Sequence, residues 1–416
     1  MDRLVLKFGG TSVANLERIA HVADIVAARK QKAKGLAVIV SAMSGKTNEL
    51  VAWAREAAGD DLQGPEFDDE HDVIVASGEQ VTSGLLALAL RRRGLKARSW
   101  LGWQVGLRTD GAHSKARILG FERPEFQESV DAGEIAVVAG FQGVDGEGRV
   151  STLGRGGSDT SAVAVAAALK ADLCDIYTDV DGVYTTDPRI ATKARKLDKI
   201  AYEEMLELAS LGAKVLQTRS VEMAMNHRVP VRVLSSFEGA VAEPTSGTLV
   251  CDEDEIVEKQ VVSGVAYSRD EAKVTLLGVE DHPGVAASIF GALADAGVNV
   301  DMIVQASSRK AGRQNMVFTT TERDADLTRK TLEKKKDTIG FDELVLERDV
   351  AKVSVIGVGM RSHAGVAKTM FEALSAKGIN IQVISTSEIK ISVLIDASYT
   401  ELAVRTLHTA YGLDAD

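Results

Sequence analysis

Three glycine-rich or polar stretches hold residue types able to handle a phosphorylated ligand. Lys7-Phe8-Gly9-Gly10-Thr11-Ser12 closes a short apolar run and precedes a helical pattern. Adjacent glycines let backbone N–H groups approach phosphate oxygens with no Cβ between them, and Lys7 adds a cation. A tight turn with a snorkelling lysine is the plainer alternative. Gly154-Arg155-Gly156-Gly157-Ser158-Asp159 leads into a helical segment at 160–170. Asp159 as a helix cap, with the glycines as a turn, would explain much of it. Arg155 among three glycines fits that less well, because a bidentate guanidinium between flexible flanks suits the capture of a carboxylate. The third stretch, 177–189, leaves a strand pattern and turns polar at once, with carboxylates, hydroxyls and two rings. It could hold a base and ribose; as an acidic cation loop its oxygen spacing departs from that of an EF-hand.

Two look-alikes are set aside. Ser44-Gly45-Lys46-Thr47 resembles the end of a P-loop, but Val40 stands where the first glycine is required. Gly357-Val358-Gly359-Met360-Arg361-Ser362 lacks the third glycine of a dinucleotide fingerprint and reads as a turn. The seven histidines show no metal-ligand spacing with one another or with cysteine, so no protein-ligated metal is expected.

The elements that must position these stretches follow from the apolar pattern. Residues 1–235 alternate β-branched runs with amphipathic helical stretches, which predicts an α/β layer fold on a mostly parallel sheet. Strands are expected at 3–8, 36–41, 135–141, 173–178 and 229–234. A helix is expected at 15–34, with Leu16, Ile19, Ala20, Ala23 and Val26 on one stripe. Ligands in such sheets bind beyond the carboxyl ends of strands, where the first and third stretches begin. The pattern breaks at Pro244, Ser246 and Gly247 and the acidic run 252–255, marking a boundary. Beyond it the chain repeats itself: Lys273-Val274-Thr275-Leu276-Leu277-Gly278-Val279 returns as Lys352-Val353-Ser354-Val355-Ile356-Gly357-Val358. Gly284, Phe290, Leu293, Gly297 and Asn299 return as Gly365, Phe371, Leu374, Gly378 and Asn380. The expected division is 1–245, a linker at 246–264, and repeats at 265–348 and 349–416. Such small units should pack on each other, pairing their sheet edges.

Among 416 residues, 49 Lys and Arg face 60 Asp and Glu, a net charge of −11 that offers no general attraction to nucleic acid or anionic lipid. The start lacks the features of a secretory signal, and no apolar run is expected to approach the roughly 20 residues of a membrane span. Cys174 and Cys251 read as reduced thiols of a cytoplasmic protein.

Taken together, these motifs resemble the aspartokinases of the amino acid kinase family over nearly the whole chain. K-F-G-G-T-S, Ser77-Gly78-Glu79-Gln80, G-R-G-G-S-D and Y-T-D-V-D-G-V-Y-T-T-D-P-R stand in that family's order and spacing. The repeats look like two ACT domains. The resemblance implies an αβα sandwich followed by two ferredoxin-like ACT modules. It also implies transfer of the ATP γ-phosphoryl group to the β-carboxylate of L-aspartate, with Mg²⁺ carried on ATP. Lys7 and Asp159 match catalytic positions. Lys7, Phe8, Gly9, Gly10, Thr178, Asp179, Tyr184, Arg189, Lys214 and Val215 match nucleotide-contacting ones. By the same likeness Arg155 meets the α-carboxylate of aspartate and Glu79 its ammonium, with Ser41, Thr47 and Ser158 completing the acceptor site. Asp281, Asn299, Val300, Asp301 and Gln305, with Asn380, Ile381 and Ser387, match effector positions for lysine and/or threonine. A homodimer or higher homo-oligomer through the ACT modules is implied, since no Met between Met225 and Met302 offers an internal start for a separate small subunit. The rivals are a kinase for another acceptor and a non-catalytic amino-acid sensor.

Overall fold

The computed structural model describes all residues except 60–61, 122–123, 213–214, 242, 257–260, 309 and 415–416. It divides into two compact units, Met1–Val183 with Lys196–Glu258, and Tyr184–Arg195 with Lys259–Asp416.

The first unit is built on an eight-stranded sheet. Its spatial order is Lys199–Ala201, Thr248–Cys251, Val231–Ser235, Leu173–Thr178, Arg3–Phe8 (β1), Gly35–Val40 (β2), Ile135–Ala139 and Ala97–Trp100. Every neighbouring pair is parallel except Val231–Ser235 with Thr248–Cys251. β2 is buried along its whole length and β1 from Leu4 onward, as in a sheet covered on both faces. The helix Leu16–Lys30 (α1) buries Ile19, Val22, Ala23 and Val26 against Leu4, Leu6 and Phe8. Leu16, expected on that stripe, lies in the first turn and is exposed. Asn15 caps the helix by accepting from the Arg18 N–H. Alternation along β1 sends Lys7 to the opposite face, where the helix Gly157–Leu169 packs with nearly every side chain buried.

Three strands of this sheet escape the apolar pattern, among them the three-residue edge strand Lys199–Ala201. Thr248–Cys251, placed in the linker by its Gly and acidic flanks, joins the sheet. Ala97–Trp100 forms its far edge with only its two ends buried. A long helix, Pro65–Arg92 (α2), is by length and composition able to span a membrane, contrary to expectation. Half of its apolar window is buried inside the protein, and Asp72 and Glu79 lie on its buried face, as in a core helix. A small sheet of Leu107–Thr109, Ile118–Phe121, Gln142–Val144 and Val150–Thr152 packs beside it.

The second unit holds two four-stranded antiparallel sheets. One runs Val300–Ser307, Arg313–Thr320, Ala272–Glu280, Glu343–Glu347, and the other Gly264–Ser268, Val350–Ile356, Lys390–Asp396, Val383–Thr386. Each has its own apolar core, with the helix Val285–Asp295 or Val366–Ala376 over it. Gly264–Ser268, which the sequence attaches to the first repeat, is an edge strand of the second. The sheets stay separate, but Met302, Val350, Val383 and Leu394 form a small cluster joining their other edges. Met302 sits in a bulge with φ of 48°, a region unfavourable to a residue with a Cβ. The excursion Tyr184–Arg195 is held in this unit: Thr185, fully buried, bonds His408 Nε2 at 2.8 Å, and His408 Nδ1 meets Asp414 at 2.8 Å.

Candidate active site

At the carboxyl end of β1, Lys7 Nζ lies 2.5 Å from Asp159 Oδ1. Asp159 is in the first turn of Gly157–Leu169, with Gly156 and not an acidic side chain at the cap. The two glycine stretches therefore converge. They line one cleft of about 360 Å³ with Ser41, Thr47 and Glu79. The close approach needs glycine: a Cβ on Gly10 would lie 3.0 Å from the Ala42 carbonyl, and one on Gly156, at φ of 74°, would collide with Gln217. No side chain caps the start of Gly157–Leu169, which borders the same cleft; the Gly157 and Asp159 N–H groups bond the Gly154 and Gly156 carbonyls, and the helix still presents its positive end to a bound anion.

The acceptor side has two charged groups of different character. Arg155 lines the cleft, is exposed and has no ion-pair partner among the described residues. Glu79 is buried; its Oε1 accepts from the Ala42 N–H at 2.9 Å, and its Oε2 has no partner among the described residues. Burial pushes the Glu79 carboxyl up to about 7, and the Ala42 N–H offsets only part of that shift. A buried carboxylate with one open oxygen, across a cleft from an open guanidinium, is suited to a zwitterion bearing both ammonium and carboxylate. Ser41, Thr47 and Ser158 add hydroxyls along the cleft.

Not every expected residue joins them. Phe8 stacks on Tyr177 at 4.7 Å in the core, because alternation puts it opposite Lys7; only its backbone stays near the loop. Gly9 donates its N–H to the Tyr177 carbonyl at 3.3 Å. Thr178 and Asp179 end the strand next to β1, and the Thr178 hydroxyl bonds Asp179 at 3.1 Å. Tyr184 and Arg189 belong to the second unit, where Arg189 pairs with Asp187 at 2.8 Å. Val215 lies half-buried in a turn, and Lys214 is outside the described residues. Asn48, Ser44, Gly45 and Phe141 line the cleft without having been singled out for it. Ser44-Gly45-Lys46-Thr47 fails as a P-loop yet borders the cleft, and Phe141 could have been found from its place just past the end of a buried strand.

In the second unit the effector positions Asp281, Asn299, Asp301, Gln305, Asn380 and Ser387 are exposed, with Val300 and Ile381 half-buried. Asp301 differs from the open carboxylate expected there. The Lys352 ammonium, also held by Glu271 at 2.7 Å, reaches it at 2.8 Å. Burial pushes the Asp301 carboxyl up, but Lys352 outweighs this and leaves it below the usual range.

Comparison with known proteins agrees with this layout. The amino acid kinase family pattern matches residues 2–235, and ACT domain patterns match 273–337 and 353–411. An aspartate kinase of Pseudomonas fluorescens is 54% identical over 416 residues, covering 100% of this chain and 98% of that protein. The crystal structure of E. coli aspartokinase III in complex with aspartate and ADP, termed the R-state, superposes with a TM-score of 0.80 at 28% identity, covering 98% of this chain and 99% of that one. The T-state of that enzyme, with lysine and aspartate, gives 0.74 at 28% identity and 98% of each chain. With the amino acid kinase pattern over residues 2–235, two ACT domain patterns after it and such identity along the full chain, the chain belongs to the aspartokinases of the amino acid kinase family.

Proposed function

We propose that this chain transfers the γ-phosphoryl group of ATP to the β-carboxylate of L-aspartate, giving 4-phospho-L-aspartate and ADP, under feedback from lysine and/or threonine. The observation that carries the reading is the meeting of Lys7, Asp159, Arg155 and Glu79 in one cleft. In the transfer, a carboxylate oxygen bonds to the γ-phosphorus as the bond to the β,γ-bridging oxygen breaks. A carboxylate is already ionised at neutral pH, so no proton has to leave it and no general base is required. The barrier lies in bringing two anions together, which makes positioning and charge stabilisation the main work of the protein.

Lys7 supplies a cation to the moving phosphoryl group, and Asp159 holds its ammonium in place. Gly10 and Ser158 supply backbone N–H donors, while Gly9 shapes the loop with its own N–H held by the Tyr177 carbonyl. Arg155 takes the α-carboxylate and Glu79 the ammonium, leaving the β-carboxylate toward Ser41 and Thr47. Thr178 and Asp179, with Val215, are the nucleotide-side positions of the first unit; Tyr184, Arg189 and Lys214 are assigned to the nucleotide by resemblance alone. Mg²⁺ enters on the phosphate oxygens, since magnesium keeps most of its waters and takes one or two carboxylates at most. Asp159 is committed to Lys7, whereas Asp179 is exposed at its strand end and open to such an ion.

The effector positions lie on open turns and edges, and a shallow exposed set cannot enclose a small ligand by itself. We therefore assign lysine or threonine to a site completed when ACT modules of two chains pair, which makes the protein a homodimer or larger homo-oligomer. A coupled assay of ADP release with aspartate, with glutamate and with no acceptor tests the reaction. Release that depends on aspartate supports it. Release only with another acceptor, or none at all, refutes it.

A further inference from the structure

Two turns before Glu79 on the buried face of α2 lies Asp72, a fully buried carboxylate that does not line the cleft. Its Oδ2 accepts from the Ser114 N–H at 2.9 Å and the Thr152 N–H at 2.8 Å, and its Oδ1 accepts from the Thr152 hydroxyl at 2.5 Å. His113 Nδ1 stands 3.1 Å from Oδ2. Both backbone donors sit beside the loop that carries Arg155. Thr152 ends the strand from which Leu153 and Gly154 continue into Arg155. Ser114 has a φ of 64°, unfavourable for a non-glycine residue, and its carbonyl lies 3.1 Å from where a Cβ on Gly154 would be. From the other side, Arg219 binds the Leu153 carbonyl at 2.6 Å and the Ala116 carbonyl at 3.0 Å.

We propose that Asp72 is a positioning residue for the acceptor site. It anchors the stem of the Arg155 loop to the same rigid helix that carries Glu79, so that α2 sets the spacing between the partners of the α-carboxylate and the α-ammonium. The inference rests on the reading of Arg155 and Glu79 as those partners. An anchor of this kind acts on acceptor recognition and leaves the nucleotide side alone. A misplacement of about 1 Å in such a clamp weakens a reaction by about a hundredfold.

The test measures kcat and both KM values, with thermal unfolding as a check on folding, for Asp72→Ala, Asp72→Asn, Thr152→Val and Arg155→Ala. Asp72→Ala is expected to raise the aspartate KM by about ten- to a hundredfold, with the ATP KM changed less than about twofold. Asp72→Asn keeps an acceptor for the two N–H groups and a donor toward the Thr152 hydroxyl, so it should restore most of that loss. Should Asp72→Ala not fold, Thr152→Val decides, with an expected rise of about threefold in the aspartate KM alone. The inference is overturned if the folded variant leaves the aspartate KM unchanged, if both KM values rise together, or if Asp72→Asn is as impaired as Asp72→Ala. Arg155→Ala separates the two levels. If it raises the aspartate KM while Asp72→Ala is silent, only the role of Asp72 falls; if it is silent itself, the acceptor reading and this inference fall together.

Discussion

The cleft of the first unit and the effector positions of the second are built in opposite ways. Lys7, Asp159 and Ser158 are buried and fixed at a strand end and a helix start, Glu79 is buried midway along a long helix, and Gly156 and Gly157 leave no room for a Cβ. Asp281, Asn299, Gln305, Asn380 and Ser387 are exposed on turns and edges. The contrast follows from the task. A reaction needs its groups held before the substrate arrives, whereas a sensor needs two states of similar free energy and gains its differential contacts only in one.

Four experiments would break or sharpen that contrast. The largest effect is expected from Lys7→Ala, which removes the cation at the phosphoryl position and strands Asp159. By analogy with other cations that stabilise phosphoryl transfer, kcat should fall by about 10³-fold or more with the fold intact, and a fall of less than tenfold would mean that the enclosed site is not preorganised around this pair. Next, Arg155→Ala leaves the α-carboxylate unpaired and should weaken aspartate by about 2–5 kcal/mol in KM terms while sparing ATP. Equal rises for both substrates would remove the assignment. Third, lysine and threonine, added singly and together, should shift activity through a coupling of about 1–3 kcal/mol; if all three additions are silent, the open set is no sensor.

The smallest effect concerns protons. Glu79 must be ionised to hold an ammonium, and its carboxyl titrates at about 7 in the ligand-free protein. Aspartate kcat/KM should therefore rise about tenfold per pH unit below that value and level off above it, a dependence that Glu79→Gln would lack. Stability runs the other way. Between the ordinary 4.5 and about 7 the folded state keeps a proton that the unfolded chain has released. The contribution of this group to stability thus falls as pH rises through that window. Thermal unfolding from about pH 5 to about pH 8 should show a shallower decline for Glu79→Gln, and an unchanged slope would locate the titration elsewhere.

Much of this was legible in the sequence, for reasons that differ by residue. β1 and Leu173–Thr178 were found end to end because a strand buried on both faces is a continuous apolar run. Lys7 and Asp159 were singled out together only through the family resemblance, since they lie far apart in the sequence and meet through the packing of Gly157–Leu169 on β1. Ala97–Trp100, Lys199–Ala201 and Thr248–Cys251 were missed because short strands at or near a sheet edge need few apolar residues. The exchange of Gly264–Ser268 to the second module is a matter of long-range pairing, which local periodicity does not record. The Lys352 contact with Asp301 likewise joins two repeats that read as independent. Phe8 shows the reverse failure: motif likeness put it at the ligand, while simple alternation already pointed its ring into the core.

The excursion Tyr184–Arg195 bears on how such a protein can change over generations. Its polypeptide is interrupted in the midst of the kinase unit and resumes at Lys196, so neither half is a contiguous stretch of gene. A recombination event with one breakpoint near residue 258 would graft a foreign sensor onto a kinase still carrying the old insert, orphaning Thr185 and leaving the new counterpart of His408 with the wrong neighbour. Exchange of the regulatory half would then require three coordinated breakpoints, at both ends of the insert and near residue 258, which ties the inheritance of the sensor to that of the enzyme.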